Sequence, residues 1–165
     1  MTDIESIMSQ NKKYAENFTE GNLPPHPSKK IAVLTCMDAR ISINEALGLK
    51  IGEAHIIRNA GGIVTDDALR SLIISHELLG TEHIIVINHT NCGMASFRDE
   101  DLQKRISEKY NSNASDIKFH SFSDVEGNTR NQINKIHSSP FLSNITSVRG
   151  FIYDVKTGKI KEVEL

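Results

Sequence analysis

The stretch IAVLTCMDAR, residues 31–40, joins an apolar run to a group of polar side chains. IAVLT is short, continuous and rich in β-branched residues, which is typical of a strand that is covered on both faces. Cys36, Asp38 and Arg40 follow at alternate positions, just where the apolar run stops. The stretch therefore predicts a central strand that delivers a thiol, a carboxylate and a guanidinium to its carboxyl end.

Strands and helices alternate along the rest of the chain. Further strands are predicted at AHIIR (54–58) and HIIVIN (83–88), with a helix between them that begins after Thr65 and stops at Gly80. Other helices are predicted at 3–20, 42–49 with the capping box Ser42–Glu45, 96–110, and 123–139 with the capping box Ser123–Glu126.

The carboxyl-terminal segment 147–165 predicts a strand, a turn containing glycine and a closing strand, which together form an antiparallel hairpin at a sheet edge. Alternation of strands and helices favours parallel pairing through right-handed crossovers. The predicted fold class is therefore α/β, with a mostly parallel central sheet of about four strands, flanking helices and an antiparallel C-terminal edge strand.

Length and charge limit the possible classes of protein. A chain of 165 residues favours one domain over 1–165, and a net charge of −2 predicts no general attraction to nucleic acid or to anionic membranes. No apolar run approaches the roughly 20 residues that a membrane span needs, and no signal-peptide segment is seen, so a cytoplasmic location is expected. Residues 1–27 form a helical arm cut off by three prolines, and we expect this arm to pack on a partner subunit.

A histidine and a second thiol follow another predicted strand. His89 comes directly after HIIVIN, and Cys92 lies three residues later. Since ligand sites in open parallel sheets form outside the carboxyl ends of the strands, Cys36, His89 and Cys92 are expected to converge there. Two cysteines and a histidine are a recognised zinc set, and three protein ligands leave the fourth position for water.

Each of these residues also has a simpler interpretation. A single cysteine is usually a small buried apolar residue, a single histidine is usually a hydrogen-bonded core residue, and a disulfide is a minor alternative in a reducing compartment. The other six histidines lack a neighbouring thiol and are assigned structural or surface roles, His55 being a weak candidate for the rim of the site. Asp38 and Arg40 are expected to form a bidentate ion pair, the alternative being an isolated surface pair of little energetic value.

Together these motifs resemble the β-class carbonic anhydrases. The resemblance rests on CMDAR (36–40) and HTNCGM (89–94), and it extends through RNAGG (58–62) and RGFIYDVKTGK (149–159). It implies hydration of carbon dioxide to bicarbonate, zinc ligands at Cys36, His89 and Cys92, and a catalytic dyad of Asp38 and Arg40, with Asp38 as a possible fourth ligand in a closed state. It also implies a homodimer or a dimer of dimers, in which the arm lies on the neighbouring subunit.

The sequence departs from the family pattern at two places. It has no tryptophan, so the regulatory bicarbonate pocket that some members build around a tryptophan is not expected. Asn91 stands where many members have aspartate, a change that we expect to tune the site without removing the metal. Two other functions remain open, namely hydrolysis of carbonyl sulfide or carbon disulfide at the same zinc site, and a non-catalytic zinc-stabilised dimer with a binding or regulatory role.

Overall fold

A five-stranded sheet forms the centre of the molecule. The computed structural model describes residues 2–164. The strands are β1 (Ile31–Cys36), β2 (Ala54–Asn59), β3 (His83–His89), β4 (Ser147–Tyr153) and β5 (Ile160–Glu162). The helices are α1 (Asp3–Glu16), α2 (Ile43–Leu47), α3 (Asp66–Glu77), α4 (Asp99–Tyr110) and α5 (Val125–His137), with 3₁₀ turns at Gly93–Ala95 and Pro140–Leu142.

The strand order is β2-β1-β3-β4-β5, in which β1 to β4 are parallel and β5 pairs antiparallel with β4. This confirms the predicted α/β class with its parallel centre and antiparallel C-terminal edge. The chain runs from β1 outward to β2 and then returns across the sheet to β3, so strand order reverses between β1 and β3. Ligand sites of open α/β sheets form at this switch point, outside the carboxyl ends of the strands.

Two apolar layers cover the faces of the sheet. On one face, α3 and α5 pack against alternate residues of β1 and β3; the fully buried Leu72 of α3 and Ile133 of α5 belong to the same cluster as Leu34 of β1. On the other face, Val33 and Ile87 pack with residues of α2 and of the loops around it. Burial of each leucine-sized side chain contributes about 1.5–3 kcal/mol, and these contacts fix the sheet edge that carries the polar residues.

Several predicted helix ends differ in detail from those observed. Ser42 precedes α2 as expected, but its side chain makes no capping hydrogen bond, so the predicted capping box with Glu45 is wrong. The cap of α5 is Asp124, whose Oδ1 accepts from the Glu126 N–H at 3.0 Å, and not Ser123. At α5 the neighbouring carboxylate is at least as good a cap as serine. Thr65 caps α3 as predicted, accepting from the Ala68 N–H at 3.2 Å.

The first helix stands apart from the sheet. It ends at Glu16 instead of continuing to residue 20, and none of its residues is buried. Its apolar side chains face solvent, with Ile4 73% and Ile7 65% exposed. None of the helices in residues 2–164 combines the length and apolar character needed to cross a bilayer.

Candidate metal centre

The three predicted ligands meet at the switch point of the sheet. Cys36 is the last residue of β1, His89 is the last residue of β3, and Cys92 follows one short turn later. The turn depends on Asn91, which has a left-handed φ of 53°, a conformation that asparagine adopts more easily than most residues. One nitrogen or sulfur atom from each of the three side chains lies within 4.8 Å of the others, a spacing compatible with one metal ion.

The ring of His89 is oriented for a ligand that the protein itself does not supply. Its side chain is fully buried, and Nδ1 lies 2.9 Å from the carbonyl oxygen of Thr90, which fixes the hydrogen on Nδ1. Nε2 is buried and has no hydrogen-bond partner within residues 2–164. A buried acceptor left unpaired in this way is costly, and a metal ion beside two thiols would satisfy it.

Both thiols suit the same interpretation. Cys36 and Cys92 are buried and free, so the minor alternative of a disulfide is not what the structure has. In the absence of metal, a hydrogen bond from the Cys92 thiol lowers the pKa of Cys36 to about 4. The same hydrogen bond, and to a smaller extent burial, raises the pKa of Cys92. Burial is the largest influence on the pKa of His89 and lowers it, but the contacts with Cys36, the Thr90 carbonyl and Asp38 together outweigh burial and raise the pKa. Two sulfurs and an imidazole nitrogen are the donor set that zinc prefers.

Asp38 and Arg40 form the expected bidentate pair beside this cluster. Arg40 Nε donates to Asp38 Oδ1 at 2.9 Å, Nη2 donates to Oδ2 at 2.7 Å, and the Arg40 backbone N–H donates to Oδ1 at 2.9 Å. These bonds hold the pKa of Asp38 well below its usual range. Oδ2 lies 3.7 Å from His89 Nε2, so the carboxylate borders the space that the three candidate ligands face.

The pair is also tied to the second half of the site. Arg40 Nη2 donates to the carbonyl oxygen of Asn91 at 3.0 Å, so the guanidinium joins the loop after β1 to the turn between the two ligands of the β3 end. The side chain of Asn91 is exposed, and the contact uses only its backbone. The pair is therefore part of a connected site and not an isolated surface ion pair.

Arg58 supports the candidate site from β2, and the sequence analysis did not single it out. From the end of β2, its guanidinium donates to three carbonyl oxygens of the loop after β1, those of Cys36 at 2.9 Å, Asp38 at 2.8 Å and Ile41 at 3.1 Å. One side chain thus holds the loop that carries Asp38 and Arg40. The only signal in the sequence was a cation at a strand end, directly before the NAGG turn.

His55, by contrast, does not border the site. It is the second residue of β2 and therefore lies at the amino end of the sheet, opposite the candidate ligands. Its ring nitrogens contact Ser75 Oγ at 2.7 Å and the carbonyl oxygen of Pro25 at 3.0 Å. The weak expectation of a rim position was wrong, because the first and last residues of a strand lie at opposite ends of the sheet.

Fold and site together define an α/β protein with a candidate metal centre of two thiols and one imidazole at a topological switch point. A sequence model of the carbonic anhydrase family matches residues 31–160. Over 163 residues, 99% of both chains, the protein is 45% identical to beta-carbonic anhydrase 1 of Mycobacterium tuberculosis. The chain belongs to the β-carbonic anhydrase family, which confirms the resemblance seen in the sequence.

Two further comparisons concern a solved structure and a relative that is named for a different substrate. The crystal structure of carbonic anhydrase from Streptococcus mutans superimposes with a TM-score of 0.94 at 38% identity, covering 99% of both chains. Carbon disulfide hydrolase of Saccharolobus solfataricus is 42% identical over 107 residues, which are 64% of this chain and 52% of that protein. The chain is thus similar in sequence to proteins named for two different substrates.

Proposed function

We propose that this protein catalyses the reversible hydration of carbon dioxide to bicarbonate and a proton, using one zinc ion held by Cys36, His89 and Cys92. The observation that carries the proposal is the buried Nε2 of His89, which has no hydrogen-bond partner among residues 2–164, faces two free thiols and lies 3.7 Å from the Asp38 carboxylate. A purely structural zinc site has four protein ligands and needs no oriented carboxylate beside it. The Asp38–Arg40 pair therefore supports a catalytic role over the non-catalytic zinc-stabilised dimer.

When bound, zinc would supply a Lewis acid that lowers the pKa of a water molecule towards neutrality. The chain's own residues would bind and orient that water. Three N–H groups of Arg40 use most of the acceptor capacity of Asp38, and the remaining capacity of Oδ2 borders the space in front of His89. Asp38 would accept a hydrogen bond from the water there. This bond would direct a lone pair of the water oxygen towards carbon dioxide.

Arg40 and Arg58 would act by keeping Asp38 in that position. Arg40 fixes the carboxylate itself, while Arg58 fixes the backbone carbonyl of the same residue. Neither guanidinium is free to rotate without losing several hydrogen bonds at once. Such preorganisation matters because a reacting group displaced by about 1 Å can lose roughly a hundredfold in rate.

Substitution of the proposed ligands tests the metal site. Cys36→Ala, His89→Ala and Cys92→Ala should each purify with little zinc, because the remaining donors hold the ion poorly. His137→Ala, at the exposed end of α5, is the matched control and should keep the wild-type zinc content. Zinc is measured by elemental analysis after dialysis, and carbon dioxide hydration by stopped flow on the same samples. Wild-type zinc content in all three ligand variants would reject the assignment.

Hydrolysis of carbon disulfide or carbonyl sulfide at the same site is the second candidate. It is favoured by the 42% identity to the carbon disulfide hydrolase of S. solfataricus. The three substrates are linear and differ in size and polarisability, so they are separated by direct assay. Purified protein should hydrate carbon dioxide faster than it hydrolyses either sulfur compound, and the reverse order would make the hydrolase the better assignment.

The same proposal includes a homodimer or dimer of dimers in which the arm of residues 1–27 packs on the neighbouring subunit. It is supported by α1, whose apolar side chains lie exposed and unpaired with the rest of the described chain. Light scattering should give at least twice the mass of one chain, and deletion of the arm should lower the mass observed. The cytoplasmic location stays a prediction, to be checked by cell fractionation.

A further inference from the structure

A buried polar network stands directly behind the candidate metal centre. Its central residue is Asn88, which precedes His89 on β3 and is only 1% exposed. Because successive strand residues point to opposite faces, Asn88 faces α5 while His89 faces the thiols. The two neighbours thus connect the metal side of the sheet with the helical layer on the other side.

Both the nitrogen and the oxygen of the Asn88 side-chain amide form hydrogen bonds. Its Nδ2 donates to the carbonyl oxygens of Gly61 at 2.8 Å and Gly62 at 3.3 Å, which belong to the turn after β2. Its Oδ1 accepts from Asn128 Nδ2 at 2.8 Å and from Thr129 Oγ1 at 3.0 Å, both on α5. One side chain therefore joins the 61–62 turn to α5, and no group of that amide is left unpaired.

The turn held by Asn88 contacts a candidate ligand. The Gly61 backbone N–H points to Cys36 Sγ, 3.4 Å away. The turn has little freedom to move, since Gly62 has a φ of 62° and a Cβ at that position would lie 2.8 Å from Asn88 Nδ2 and 3.1 Å from the Cys36 nitrogen. The position of the Gly61 N–H is thus set by the packing of the turn against Asn88.

A hydrogen bond to a metal-bound sulfur changes what the metal can do. Two thiolates offset the charge of a divalent ion, which weakens it as a Lewis acid, and an N–H donor to one sulfur draws electron density back from the ion. Groups that hydrogen-bond to metal ligands typically alter metal affinity or activity by about 10–100-fold.

We propose that Asn88 is a positioning residue of the metal centre, which holds the Gly61 N–H against the sulfur of Cys36 and so tunes the electron donation of that ligand. Asn88 touches neither metal nor substrate and acts only through the turn. This inference rests on the proposed zinc site.

Asn88→Asp tests the proposal selectively. The carboxylate has nearly the same shape and still accepts from Asn128 and Thr129, but it cannot donate to the two carbonyl oxygens of the turn and repels them. The matched control is Thr129→Val, which removes one of the two α5 donors to Asn88 and leaves its contacts with the turn in place. Both variants disturb one buried network, so loss of stability alone does not distinguish them.

The readout is the thiolate-to-cobalt charge-transfer absorption of the Co²⁺-substituted protein. Without the Gly61 hydrogen bond, the sulfur gives up charge more easily, so Asn88→Asp should shift the band to longer wavelength. Thr129→Val should leave the band where the wild type has it. An unshifted band in Asn88→Asp, an equal shift in both variants, or failure of the wild type to bind Co²⁺ would overturn the proposal.

Asn88→Ser replaces Asn88→Asp if the latter does not fold, and the same band shift is then required of it. Carbon dioxide hydration by the wild type, measured in parallel, separates the two levels of inference. A band shift in a protein that does not hydrate carbon dioxide would reject the proposed function and support the role of Asn88. Normal carbon dioxide hydration by the wild type, with an unshifted band in the Asn88 variant, would support the proposed function and reject the role of Asn88.

Discussion

Replacement of Arg58 by lysine tests how the loop carrying Asp38 is held. The guanidinium donates to three carbonyl oxygens of that loop at 2.8–3.1 Å, whereas a single ammonium group would keep one of these contacts. Two hydrogen bonds would then be lost. At about 1 kcal/mol each for partly exposed groups, the free energy of unfolding should fall by about 2 kcal/mol.

For a domain of this size, that loss corresponds to a decrease of about 4–8 °C in Tm. The control is Arg70→Lys on α3, where the exposed pair with Asp67 contributes about 0.5 kcal/mol and Tm should change by about 1–2 °C. Calorimetry of the zinc-loaded proteins gives both values.

Catalysis should respond as well as stability. Because Arg58 fixes the backbone of Asp38, carbon dioxide hydration by Arg58→Lys should fall about ten- to hundredfold while zinc content stays at the wild-type level. Arg70→Lys should hydrate carbon dioxide at the wild-type rate. If Arg58→Lys melted within about 1 °C of the control and kept full activity, the loop would be held by something other than Arg58.

Three further changes have definite expected outcomes. Asp38→Asn should retain zinc by elemental analysis but lose most turnover, because a neutral amide cannot accept all three N–H groups now paired with the carboxylate; full activity would disprove its role. Asp99 accepts three backbone N–H groups of the 119–121 segment at 2.8–3.0 Å, and although burial raises its pKa, the Ser121 side chain and these backbone bonds together lower it to about 2. Its stabilisation is therefore complete above the unfolded pKa of about 4 and is lost as the pH falls towards 2, so the Tm difference between wild type and Asp99→Asn should shrink over that range; a constant difference would refute this. Gly62→Ala should cost about 2–4 kcal/mol in urea denaturation, since the methyl group lies 2.8 Å from a buried amide nitrogen, whereas Gly48→Ala, with a similar φ and open space around it, should cost only about 1 kcal/mol; equal costs would show that the close approach does not matter.

The sequence alone was sufficient for the sheet and for the candidate ligands. Apolar runs that stop abruptly at Cys36 and His89 marked both the strands and the edge where their side chains meet. The bidentate pair of Asp38 and Arg40 was also predictable, because both partners lie two residues apart on one loop.

Contacts between distant segments were not predictable in this way. Arg58 binds backbone carbonyls, which every residue has, so no residue type in the loop indicates its partners. Asn88 joins two segments that are 26 and 40 positions away, and only the packed structure brings them together. The predicted cap of α5 failed for a local reason, since the carboxylate beside Ser123 competes for the same backbone N–H groups.

The central claim is that Cys36, His89 and Cys92 hold one zinc ion that serves carbon dioxide hydration. The most direct measurement is the zinc content of the purified wild-type chain together with stopped-flow hydration by the same sample, before and after removal of metal with a chelator. We expect about one zinc per chain, rapid hydration, loss of activity with the metal and its return when zinc is restored. A metal-free protein, or hydration that persists after zinc is removed, would contradict the account.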